Sequence, residues 1–145
     1  MKLSSKGHYG LLALAELVEN YKLRRAVQVK EIAVNRNIPP QYLGQIMVLL
    51  KRGQLVHGAR GPSGGYVLAR PPETITVKEV IHVLEGPAAD FEMKAQLESR
   101  SYSSLLTHRL LDTWARGLRA METVLEETTL ADLCKPEEPA LMYYI

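Results

Sequence analysis

The chain has 145 residues, 46% of them hydrophobic and 23% charged. That length suffices for one packed domain with an added arm, and the composition excludes a disordered chain. The formal net charge of +2 identifies no partner, but it is unevenly spread: residues 22–70 carry nine Lys or Arg against one acid, Glu31, and acids outnumber bases from Pro71 onward. A basic half joined to an acidic half is the expected footprint of a phosphate-facing module attached to something else. The single cysteine, Cys134, allows no disulfide within the chain, and the polar opening lacks a signal-peptide pattern. A reducing cytoplasm is therefore the expected setting. No apolar run reaches the ~20 residues that cross a bilayer, so no membrane partner is expected.

The first helix is predicted from Ser4 or Ser5, whose hydroxyls can cap free N–H groups. Ala13, Leu14, Leu17, Val18 and Tyr21 share one face, and Leu11 and Leu12 widen it. Residues 22–26 form a basic loop. A second short helix spans about 27–36, with Val29, Ile32 and Ala33 inward. Asn37 sits where a tight turn needs the left-handed conformation, which Asn tolerates better than most residues. Pro39 and Pro40 open a third helix, since proline's missing N–H would be unpaired in a first turn anyway. It runs to Arg52 and stops at Gly53. Leu43, Ile46, Met47 and Leu50 have the spacing of a buried stripe. Two helices joined by so short a turn cross steeply, as in a helix-turn-helix.

Strands over 54–59 and 66–69 flank Arg60-Gly61-Pro62-Ser63-Gly64-Gly65. Turn residues around a lone Arg read as a β-hairpin wing with one cation at its tip. A fourth helix starts at Thr76, with Thr76 and Glu79 as a capping-box pair and Val77, Val80, Ile81 and Leu84 inward. Glu85-Gly86-Pro87 stops it. Residues 88–103 have weak periodicity and read as a loop. The last long helix covers about 104–127. Leu111, Trp114, Leu118, Met121 and Leu125 recur every three or four residues along it, as in a coiled-coil seam. This helix is too long for the small body before it, so the seam is expected to dimerise. Gly117 costs ~1 kcal/mol relative to Ala in a helix and reads as a point of close backbone approach.

The expected architecture is mainly α with a small β-wing. It has a winged helix-turn-helix at 1–86, a loop at 87–103, a dimerisation helix at 104–127, and a short helix and tail at 128–145. On the outward face of the third helix, Gln41, Tyr42 and Gln45 are candidate base readers. Gln can bond bidentately to adenine, and Tyr can reach phosphate or a base edge. Gly44 and Val48 leave that face less polar. Arg60 suits a narrow minor groove, which concentrates negative potential. No nucleophile elbow, HExxH pair, phosphate-binding glycine loop or paired-carboxylate pattern is present, so no enzyme activity is expected.

The opening Met1-Lys2-Leu3-Ser4-Ser5-Lys6-Gly7-His8-Tyr9, the run Ile38-Pro39-Pro40-Gln41-Tyr42-Leu43, and Arg60-Gly61-Pro62-Ser63-Gly64-Gly65-Tyr66 resemble the Rrf-two family of bacterial transcription regulators. Leu105-Leu106-Thr107-His108 and Thr129-Leu130-Ala131-Asp132-Leu133 resemble its C-terminal half. The resemblance covers nearly the whole chain in the same order. It implies a homodimer on a partly palindromic operator, with the third helix in the major groove and the wing Arg in the minor groove. Lys6, Lys51 and Arg52 are then expected to hold phosphate, and Ser63 to assist Arg60.

The cluster-binding members of that family carry three cysteines in the loop before the dimerisation helix. This chain has none there, and Leu105 stands where the last would be. His8 and His108 match positions that supply a further ligand in some members. Clusters are held mainly by thiolates, so no iron–sulfur cluster or other cofactor is expected, and the histidines read as ordinary polar residues. Asp90, Glu92 and Glu98 read as a solvated acidic stretch. Cys134 is either an unreactive thiol or a redox sensor, with Lys135 slightly favouring the thiolate. The expected function is a dimeric, sequence-specific DNA-binding transcription regulator. The alternative is a winged-helix module that answers to a protein partner or small effector and binds DNA weakly.

Overall fold

The computed structural model describes residues 3–86 and 104–136. The reading of 87–103 as a loop and of 137–145 as a tail falls outside the described residues. Helix α1 spans Ser5–Tyr21, α2 Val29–Asn35 and α3 Pro40–Arg52. Strands β1 (Val56–Ala59) and β2 (Gly65–Leu68) follow, then a 3-10 turn at Pro72–Thr74 and α4 at Val77–Glu85. Helix α5 covers Leu105–Glu127 and α6 Leu130–Leu133. The fold is mainly helical, with a two-strand hairpin wing and a long C-terminal helix, as expected from the sequence.

Local chemistry fixes most boundaries. Ser4 caps α1 by accepting the Gly7 N–H at 3.0 Å, and Ser104 caps α5 by accepting the Thr107 N–H at 3.2 Å. Asn37 takes the left-handed conformation, with φ 51, in the turn between α2 and α3. The stripes of α1, α3 and α4 meet in one core, in which Leu14, Ile32, Leu43, Met47, Leu50 and Val80 are fully buried.

Two sequence expectations are corrected. First, α2 begins at Val29, not Val27. The Val27 N–H donates to the Tyr66 carbonyl at 2.9 Å, and the Tyr66 N–H donates back at 2.8 Å. Val27 thus adds an isolated bridge to the outer side of β2 and cannot serve a helix. A Cβ at Gly65 would collide with the Val27 carbonyl, so this approach requires glycine.

Second, the capping box expected at Thr76 is only half made. Thr76 accepts the Glu79 N–H at 3.2 Å, but the Glu79 carboxylate is taken by Arg70. A complete box forms instead at Thr129 and Asp132, opening α6. Along α5 the residues of the expected seam differ in burial. Leu111, Leu118, Met121 and Leu125 are half-buried on their own protomer, whereas Trp114 is 58% exposed.

After α5 the chain returns to the body. Val77 N–H donates to the Thr128 carbonyl and Leu130 N–H to the Ile75 carbonyl, both at 2.9 Å. Leu130 is only 1% exposed and belongs to the central core. Lys78 on α4 pairs with Glu122 and Glu126 of α5 at 2.8 and 3.2 Å, seating the long helix on the body.

Candidate nucleic-acid interface

Helix α3 divides cleanly. Leu43, Ile46, Met47 and Leu50 face the core, while Gln41, Gln45, Val48, Lys51 and Arg52 are exposed. Gln41 and Gln45 lie one turn apart, so their amides share a face. Gly44 opens onto that side with no described atom within 4 Å of where a Cβ would stand, so no packing against the described residues requires glycine there. Tyr42 differs from its neighbours. It is half-buried, and its ring meets Tyr9 of α1 edge-on at 5.6 Å between centroids.

The wing carries Arg60 and Ser63, both exposed, in the turn between β1 and β2. The hairpin pairs Val56 with Leu68 and Ala59 with Gly65. Val56 and Leu68 are buried, which roots the hairpin in the core while its turn stands in solvent. Lys51 Nζ lies 3.6 Å from where a Cβ of Gly58 would stand, so the end of α3 reaches the wing. Lys6 is half-buried in the first turn of α1. That turn is tied down because the Ser4 hydroxyl donates to Glu85 at the end of α4.

Charge density alone misleads about which cations are available. Arg25 makes a two-pronged pair with Glu31, Arg36 pairs with Glu16 and Glu19, and Arg70 pairs with Glu79. The Arg25 contact raises its own pKa and holds the Glu31 carboxyl below the usual range. Six of the nine bases of residues 22–70 make no ion pair with described residues: Lys22, Arg24, Lys30, Lys51, Arg52 and Arg60. The acids that neutralise the other three lie mostly outside 22–70, so a count within that stretch could not find them.

No group of three or more His, Cys, Asp or Glu side chains converges among the described residues. His8 lies on α1 beside Tyr9, and His108 is exposed in the first turn of α5. Cys134 is half-buried, and its thiol pKa is pushed up by burial and by the Glu19 carboxylate. The Lys135 ammonium is bound to Asp132 at 2.6 Å, and the charge that lowers the thiol pKa is the Arg36 guanidinium. The donor set of this chain therefore does not fit a thiolate-held iron–sulfur cluster, nor does Cys134 have the lowered pKa of a reactive thiol.

Helix α5 presents exposed apolar residues beyond the predicted seam. Leu106, Leu110 and Val124 are 77%, 63% and 60% exposed, in line with Trp114. Gly117 falls between them with nothing within 4 Å of its missing Cβ. The spacing 106, 110, 114, 117, 121, 124 was available in the sequence as a parallel helical row.

Residues 3–136 match the Rrf2 family, whose description is Iron-dependent Transcriptional regulator. The HTH-type transcriptional regulator CymR of Bacillus subtilis is 36% identical over 148 aligned positions, covering 100% of both chains. The HTH-type transcriptional regulator IscR of Cereibacter sphaeroides is 38% identical, covering 94% of this chain and 89% of that one. Among solved structures, CymR of B. subtilis, "the Global Cysteine Regulator", superposes with a TM-score of 0.77 at 35% identity, covering 92% of this chain and 96% of that one.

Proposed function

The chain belongs to the Rrf2 family of transcriptional regulators, and from that premise we propose that it acts in the cytoplasm as a homodimer on a partly palindromic DNA operator. It is a sequence-specific DNA-binding regulator and not an enzyme. Gln41 and Gln45 read base edges in the major groove, with Tyr42 contributing from its post against Tyr9. Lys6, Lys51 and Arg52 hold phosphates on either side. Arg60, with Ser63 beside it, enters the minor groove. The observation that carries this reading is Arg60: a guanidinium without an ion pair among the described residues, at the turn of a hairpin whose base is buried beside α3. A cation held out on a rigid, glycine-rich turn suits a narrow groove of high negative potential.

Dimerisation falls to α5. Leu111, Leu118, Met121 and Leu125 serve both the protomer and the seam, and Trp114 joins Leu106, Leu110 and Val124 as the apolar surface left for a second copy. A contiguous exposed apolar row of this kind is unusual on a monomer. The test is titration of the purified dimer against genomic fragments over a salt series. Specific binding should weaken by a log–log slope of about −0.9 for each phosphate contact. Equal affinity for all fragments at every salt concentration would remove the sequence-specific reading.

A further inference from the structure

A cleft of about 450 Å³ lies at the base of the wing, where the last turn of α1 meets β2. Its volume falls within the range of small-molecule sites. The floor is apolar: Leu17 and Leu68 are nearly fully buried, and Val67 and Tyr21 are half-buried around them. Three cations, Lys22, Arg24 and Arg25, stand at the rim.

These cations are not equivalent. Arg25 is committed, with Nε donating to Asn20 Oδ1 at 2.9 Å and its two terminal nitrogens bound to Glu31. Lys22 and Arg24 make no ion pair with described residues, so the rim carries uncompensated positive charge above an apolar floor. Arg24 is held at φ 51, a conformation that L-residues rarely adopt, and its N–H closes α1 by donating to the Tyr21 carbonyl at 3.0 Å. Asn20, 8% exposed, also lines the cleft. Beyond its bonds to Arg25 and the Glu16 carbonyl, it keeps one amide hydrogen and one lone pair for a ligand.

We infer that this cleft binds a small organic anion, a carboxylate or similar acid group carried on a short apolar body. The apolar part would lie on Leu17, Val67 and Leu68, and the acid group would meet Lys22 and Arg24. Residues 20–24 lie at the far end of α1 from Lys6, about 20 Å along the helix at its standard rise. The cleft shares β2 with the wing, so the test includes DNA as a competitor.

The test uses the full-length protein, isotope-labelled for amide NMR, and three probes: phenylacetate, its neutral analogue phenylacetamide, and inorganic phosphate. Phenylacetate should give saturable shifts centred on Leu17, Asn20, Val67 and Leu68. Phenylacetamide should bind at least ~10-fold more weakly, the worth of about one charge-assisted hydrogen bond. Lys22→Gln combined with Arg24→Asn should reduce phenylacetate binding to the level of the amide and leave the amide unchanged. Asn is chosen at position 24 because it accepts the left-handed backbone. Absent shifts, equal binding of acid and amide, or an identical pattern with phosphate would each overturn the proposal. Displacement of phenylacetate by a non-specific DNA duplex would assign the cations to DNA and overturn it too. If the double variant fails to fold, the comparison of acid with amide on the unaltered protein still decides.

Discussion

Arg36 Nε donates to Glu16 Oε2 at 2.7 Å, joining the helix-turn-helix turn to the middle of α1. Asn35 Nδ2 holds the other oxygen of the same carboxylate at 2.9 Å, and a second arm of Arg36 reaches Glu19 at 2.7 Å. Glu16 is only 5% exposed, so this is a clasp inside the body and not a surface ion pair. It fixes where α2 ends and hence the angle at which α3 is presented. Breaking such a pair from one side strands the buried charge, which costs about 3 kcal/mol. Arg36→Ala should destabilise the protein by that amount in denaturant unfolding. Glu16→Gln should cost less, because Arg36 retains Glu19. A double-mutant cycle that returned no coupling would show the clasp to be energetically idle.

Arg60→Ala should weaken operator binding by ~1–3 kcal/mol while leaving the melting temperature unchanged, because the side chain is exposed and makes no ion pair with the described residues. Fluorescence anisotropy beside a thermal melt measures both. Unchanged affinity in a folded dimer would take the wing out of the interface.

Gly44→Ala separates stability from binding. A methyl group there meets nothing within 4 Å, so the free protein should gain ~0.5–1 kcal/mol from helix propensity. Operator affinity should fall, because the same methyl group occupies the space between α3 and the DNA. A variant that is both more stable and equally tight in binding would show that α3 does not approach DNA closely at this position.

Trp114→Ala on the exposed row of α5 should raise the dimer dissociation constant by ~2–4 kcal/mol, the usual worth of a buried interface tryptophan. Sedimentation equilibrium measures it. The protomer should stay folded, since Trp114 is 58% exposed on it. An unchanged dimer would move the interface elsewhere.

Cys134 should behave as a protected thiol. Its pKa is raised in the folded state, chiefly by burial, so folding favours the protonated form. The sign follows by linkage: the contribution is fully present below the ordinary thiol pKa and is lost as pH rises through the raised one. At pH 8, iodoacetamide should modify the folded protein more slowly than the urea-unfolded chain. Faster modification of the folded state would restore Cys134 as a candidate redox sensor.

Much of this architecture was legible because its causes are local. The left-handed turn at Asn37, the proline opening of α3 and the stripe from Leu43 to Leu50 each arise within a few residues of chain. What escaped was non-local. Val27 looks like a helix start until Tyr66 is placed beside it. Glu79 looks like the second half of a cap until Arg70 takes its carboxylate. Glu16 lies among apolar neighbours on α1, and nothing in its surroundings announces Arg36, which is 20 positions away in the chain. Of the candidate contacts, Gln41, Gln45 and Arg60 stand in the open as their spacing implied. The half-burial of Tyr42 depends on Tyr9, a partner on another helix.

The insertion of Leu130 into the central core has a consequence for synthesis. The fully buried Ile75 and Val80 sit in a core shared with a residue that leaves the ribosome after the whole of α5. N-terminal halves commonly fold as they emerge. Here the core of the N-terminal half lacks Leu130 until α5, the proposed dimerisation helix, has been made. If α5 pairs the subunits as proposed, a nascent chain would complete this core only when it is also ready to meet its partner.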